Sequence, residues 1–166
     1  DALRLERLTS VPPSPEAAAE FGRRLAHLHD SGAPAFGWAP AEPAWFGPLD
    51  SPFEVSVEPT SSFSDFWVDQ RLQPVADDIA DQLTPEENAT VASAITAVGT
   101  GAFDGIAGSG AESPSRVHGD LWSGNLMWTP AGGTLIDPAA HGGHRLEDLA
   151  MLALFGTPFL DEIFAG

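Results

Sequence analysis

The sequence predicts an α+β domain, mainly helical, in which one short β-hairpin carries the chemistry. Three observations lead there. Two helix starts are written out with their capping residues, at Ser14-Pro15-Glu16 and at Thr84-Pro85-Glu86-Glu87. Leu126-Met127-Trp128 and Thr134-Leu135-Ile136 flank the turn-forming stretch Pro130-Ala131-Gly132-Gly133. Leu146 to Phe155 then has the length and composition of a buried helix.

Composition narrows the classes further. With 166 residues the chain suffices for one domain with a sizeable core. A net charge of -17 argues against nucleic acid or an anionic membrane as the main partner, because both select clustered Lys and Arg. No cysteine is present, so there is no disulfide framework. No apolar run approaches a membrane span, and Asp1-Ala2-Leu3-Arg4 does not resemble a signal peptide.

In chain order, Leu3 to Leu8 roughly alternates apolar and polar residues and predicts a short strand, broken by Val11-Pro12-Pro13. A helix follows from Ser14, with Phe21, Leu25 and Leu28 on one face and Gly32 as its stop. His27 and His29 sit near its end, where capping or packing is favoured over a ligand role. Residues 33–59 are rich in Pro, Gly and aromatics (Phe36, Trp38, Trp45, Phe46, Phe53), which predicts an irregular but ordered loop. Its rings would either wall a substrate site or cover the core. Ser62 to Leu83 has helical period and should kink at Pro74. The helix capped by Thr84 presents Val91, Ile95 and Val98, and the Gly-rich residues 99–110 read as a connecting loop.

The chemical content is concentrated in His118-Gly119-Asp120-Leu121-Trp122-Ser123-Gly124-Asn125 and the later Leu135-Ile136-Asp137. Protein kinases place a base and a metal-binding Asn at the interval of Asp120 and Asn125, with a further Asp holding the metal against the phosphates. The hairpin would hold Asn125 at its entry and Asp137 at its exit. Pro138 to Gly143 is predicted to be loop, and Leu149, Leu152 and Ala153 the buried face of the helix after it. The seven basic residues are all arginine, and neither a lysine nor a phosphate-covering Gly-rich loop is present. This reads as one lobe of a larger protein.

With these residues the sequence resembles the fructosamine kinase (ketosamine 3-kinase) family, part of the aminoglycoside phosphotransferase and choline kinase group of kinase-like folds. The resemblance is carried by residues 118–125, Ile136-Asp137-Pro138-Ala139, Gly143-His144-Arg145, Asp148-Leu149-Ala150-Met151 and Leu154-Phe155-Gly156. It implies the mainly helical C-terminal lobe of a protein-kinase-like fold, with residues 1–10 as hinge-like strand and linker, 11–166 as the lobe, and the β-rich N-terminal lobe absent. On that resemblance Asp120 is the catalytic base, Asn125 and Asp137 are Mg2+ ligands, and the backbone around Glu6 and Leu8 meets the adenine of ATP. His118, Trp122, His144, Arg145 and Asp148 support the site or the substrate. The implied acceptor is a sugar hydroxyl of a ketosamine or of protein-bound fructosamine; the strong acidity of the chain separately suggests a cytoplasmic protein. Without its N-terminal lobe the chain is expected to bind ATP poorly and to be inactive alone.

Two departures from the family pattern stand out. Leu146 follows Arg145 where relatives carry Glu, so Glu147 comes one residue late, and the loop beginning Gly47-Pro48-Leu49 lacks an Asn. Two other readings compete: a metal-dependent hydrolase using His118, Asp120, His141 and His144, and a degenerate kinase-like module that only binds partners.

Overall fold

A computed structural model describes residues 6–40, 44–47, 50, 52–104 and 113–166. Helix α1 (Pro15–Asp30) begins as its sequence dictates, with the Ser14 hydroxyl accepting the Ala17 N–H at 3.2 Å and Pro15 in the first turn. It ends before Gly32, whose φ of +68° supplies the left-handed turn that stops the helix. Ala18, Phe21, Gly22, Leu25 and His29 form its buried stripe. Phe21 and Leu25 join Leu121, Leu126, Trp128, Leu152 and Ile163 in the main core, with Phe21 edge-on to Trp128.

Residues 33–59 are more regular than their composition suggests. β1 (Ala44–Phe46) pairs antiparallel with β2 (Phe53–Val55), bringing Trp45 opposite Glu54. Aromatic residues in both triplets, with the β-branched Val55 in β2, favour the pairing, which three-residue strands are too short to announce. The rings divide: Phe36 is core, whereas Trp45 and Phe53 are each more than half exposed.

The predicted helix over 62–83 is present but broken into α2 (Phe63–Trp67), a π turn (Val68–Leu72), α3 (Gln73–Ile79) and a closing 3-10 turn. Pro74 is the cause. It has no N–H for the Gln70 carbonyl and its ring crowds that oxygen, so the helix widens and Gln73 donates to Val68 instead. The Arg71 guanidinium covers the abandoned Gln70 oxygen at 2.9 Å. α4 (Pro85–Gly99) carries the complete capping box between Thr84 and Glu87, and buries Ile95.

Two two-stranded sheets surround the chemical motif. β3 (Ser115–Val117) pairs antiparallel with β6 (His141–Gly143), and β4 (Leu126–Thr129) with β5 (Gly132–Leu135) across the two-residue turn Pro130-Ala131. β6 corrects the expectation of a loop over 138–143. Its central Gly142 accepts from Gly37 N–H at 2.8 Å and donates to the Trp38 carbonyl at 2.7 Å. A Cβ there would lie 1.9 Å from the Ala35 carbonyl oxygen, so the approach of two backbones makes the strand possible.

Helix α5 (Leu146–Phe155) is rotated from the predicted face: Asp148 and Leu152 are buried and Leu149 partly so, while Ala153 is exposed and Leu154 is 76% exposed. The polar anchor at Asp148, described below, sets that rotation. The closing residues form α6 (Leu160–Ala165), packed on α1. Residues 6–10 have no regular secondary structure, against the strand expected over 3–8; its first three residues lie outside the described ones. A strand needs a ladder partner, and the described residues offer none there. Among the described residues no helix is long and apolar enough to cross a membrane.

Two outcomes test this architecture. A Cβ at Gly22 would lie 2.0 Å from the Ile163 carbonyl oxygen, so Gly22→Ala should separate α1 from α6 and cost about 2 kcal/mol in urea unfolding. The Glu87 carboxyl is held below its ordinary 4.5 by the Thr84 backbone N–H and then its hydroxyl. A depressed folded value gives stability that is full above 4.5 and fades as pH falls through the lower folded value. Thr84→Ala should therefore show a shallower loss of stability between neutral and acid pH than wild type, read by urea midpoints across that range.

Candidate active site

The motif loop hangs from one buried carboxylate. Asp148, fully buried on the first turn of α5, accepts the His118 N–H at 2.8 Å and the Gly119 N–H at 3.0 Å, one on each oxygen. His29 Nε2 from α1 lies 2.9 Å from Oδ2 and donates to it, since a carboxylate has only acceptors to offer. Three chain segments thus meet on one side chain. Leu121, also fully buried, pins the loop's apolar side into the core.

The loop's own bonds set the orientation of the acidic groups. His118 Nε2 faces the Ile136 carbonyl at 2.9 Å, which requires the proton on Nε2 and leaves Nδ1 to accept the Asp120 N–H at 3.3 Å. Asn125 closes the 3-10 turn (Ser123–Asn125), and its Nδ2 donates to the Asp120 carbonyl at 2.8 Å and to Asp120 Oδ2 at 2.9 Å. The Asn125 carbonyl accepts the Ile136 N–H at 3.1 Å, so entry and exit of the hairpin are tied one residue before Asp137. Asp137 itself is exposed and holds φ at +50°, a left-handed value that costs a non-glycine residue energy.

The structure therefore brings Asp120, Asn125, His118 and Asp148 into one bonded unit, with Asp137 at its edge. Trp122 is 43% exposed and lays one face over Gly124, where a Cβ would meet the ring at 2.3 Å. His144 is buried against Phe63 and accepts the Leu146 N–H through Nδ1 at 3.1 Å. Arg145 reaches Asp30 at 3.1 Å, joining the start of α5 to the end of α1. Glu6 is exposed and Leu8 half-buried.

Sequence reasoning missed two partners. His29 lies 119 positions from Asp148, and no spacing links them. Glu147, singled out as out of step, bonds His141 Nε2 at 3.2 Å through Oε2 and the His144 N–H through Oε1. Only the pairing of β3 with β6 would have brought His141 to this place. These contacts also weigh against the hydrolase reading, because the His118, His141 and His144 rings already serve protein partners. Among the described residues no group of three or more His, Cys, Asp or Glu could hold a metal.

A carboxylate at the head of the loop, a carboxamide bound to it, and a second carboxylate where the hairpin ends resemble the residue order of kinase-like phosphotransferases. The fructosamine kinase profile matches residues 3–166, and the chain belongs to that family. A crystal structure of a candidate fructosamine-3-kinase from Thermobifida fusca YX-ER1 superposes with a TM-score of 0.81 at 43% identity, covering 96% of this chain and 52% of that one. A "probable ketoamine kinase" of Synechocystis is 33% identical over 138 residues, 82% of this chain and 42% of the relative. Another, of Thermus thermophilus, is 31% identical over 149 residues, 90% of this chain and 50% of the relative. The chain spans about half the length of the relatives it matches.

The anchor can be tested directly. Asp148→Asn sets an amide donor against the donors that now converge on the carboxylate, and should cost about 3 kcal/mol. Urea unfolding at neutral pH reads that loss.

Proposed function

We propose that this chain is the acceptor-side part of an ATP-dependent small-molecule kinase that phosphorylates a sugar hydroxyl of a ketosamine, free or protein-bound. The observation that carries the reading is the double bond from Asn125 Nδ2 to the carbonyl and carboxylate of Asp120. It holds one Asp120 oxygen in place and turns Asn125 Oδ1 away from it. Asp120 then takes the proton of the attacking hydroxyl, a role that needs a carboxylate held in place.

The donor set fits a hard divalent cation. Asn125 Oδ1 and the Asp137 carboxylate are oxygen ligands of the kind Mg2+ prefers, and both belong to the hairpin ends tied by Asn125 and Ile136. When bound, Mg2+ would neutralise phosphate charge during transfer. The exposed face of Trp122 suits the apolar side of a sugar ring. The adenine is assigned to the backbone from Glu6 to Leu8, a stretch committed to neither helix nor ladder. The chain has no lysine, so we assign the cation for the nucleotide's phosphates to a further N-terminal lobe of the same protein. The names of the ketoamine and fructosamine kinases similar to this chain support the acceptor class. We place the reaction in the cytoplasm, where ATP is abundant.

The experiment is phosphate transfer from Mg-ATP to a fructosyl-amine by the full-length protein. Asp120→Asn should reduce transfer about 100-fold or more while nucleotide binding persists. Transfer that survives the substitution would move the base elsewhere. Nucleotide binding without transfer in wild type would reject the acceptor class.

A further inference from the structure

His141 and Glu147 lie between the two acidic loops, and the proposed chemistry leaves them without a role. His141 opens β6, opposite Val117 of β3, with its ring buried. Its Nδ1 faces the Ala139 carbonyl at 2.9 Å, which fixes a proton on that nitrogen. Its Nε2 faces Glu147 Oε2 at 3.2 Å, and Glu147 is itself held by the His144 N–H at the start of α5. The Phe66 ring closes another side at 5.4 Å between centroids.

The remaining walls of this slot are glycines. A Cβ at Gly119 would lie 2.3 Å from the Ala139 oxygen and 2.8 Å from His141 Nδ1. A Cβ at Gly143 would lie 3.0 Å from His141 Nε2. At its Nδ1 edge the imidazole therefore meets both the residue preceding Asp120 and the carbonyl two residues beyond Asp137. Asp137 keeps a left-handed φ of +50°, which persists only where neighbours over-determine it.

We propose that His141 and Glu147 are a positioning pair that clamps the Asp137 loop against the Asp120 loop, so that the alignment of the two carboxylates depends on it. Neither residue touches the reacting atoms. α5 acts through Glu147 on the ring, and the ring acts on both loops. The kinetic arm of its test rests on the phosphotransfer reading; the exchange arm does not.

The full-length protein is compared with His141→Phe, Glu147→Ala and Glu147→Gln. His141→Phe keeps an aromatic ring beside Phe66 but loses both bonds. Glu147→Gln keeps an oxygen for the His144 N–H and an amide donor for Nε2. By hydrogen exchange, His141→Phe and Glu147→Ala should raise exchange at residues 118–120 and 137–141 while leaving α1 and α4 unchanged. In phosphate transfer both should lower kcat about 10- to 100-fold with acceptor KM within about twofold. Glu147→Gln should stay within about threefold of wild type in kcat. Unchanged exchange at both loops, or faster exchange spread equally over α1 and α4, would overturn the clamp. A drop confined to acceptor KM would overturn it too. Wild-type protein with neither transfer nor nucleotide binding would sink the phosphotransfer reading, and the exchange comparison would still decide the pair.

Discussion

The fully buried carboxylate of Asp148 is the interaction on which the rest of the site depends. A buried charge is tolerated only when its lone pairs are filled, and here they are filled by two loop N–H groups and one imidazole. The donors come from two parts of the chain, α1 and the motif loop, and α5 carries the acceptor. The start of the loop needs no regular structure because its first two N–H groups are already satisfied. The position of Asp120 is then a consequence of where Asp148 sits. α5 turns Asp148 inward at the expense of Ala153, which shows the polar anchor outranking a more uniformly apolar face.

Around that anchor, close backbone approach does what side-chain packing does elsewhere. Gly142 lets β6 lie against residues 33–38, and Gly119 lets the motif loop lie against Ala139. Both contacts would be closed by a single methyl group. The acidic groups converge because the chain is thin at these two places, and the rings of His141 and Phe66 fill what remains.

What the sequence discloses is what depends on neighbours in sequence. The α1 start at Ser14, the capping box at Thr84 and the β4–β5 hairpin are written in residues a few positions apart. The first two are found where they were read, and the hairpin is present with Gly132 and Gly133 in its second strand rather than in its turn. The placement of Asp120, Asn125 and Asp137 on the loop and at the hairpin ends was legible for the same reason, since the loop and the hairpin are local. What escaped depends on distance. Three-residue strands such as β1, β2, β3 and β6 have no period of their own, and their pairing is settled by the partner. The His29–Asp148 bond spans most of the chain. Pro74 announced a kink but not its form, because the π turn relies on Arg71 to cover an orphaned oxygen.

The bond from Asn125 to Asp120 also limits how this loop can drift. For a cation, aspartate would be the nearest replacement for Asn125, with the same reach and a stronger charge. It has no N–H to give, however, and would set its own oxygens against the Asp120 carboxylate and carbonyl. A single-step exchange between two chemically adjacent residues is therefore barred at this position. A substitution at Asn125 is therefore felt at Asp120 through these two bonds.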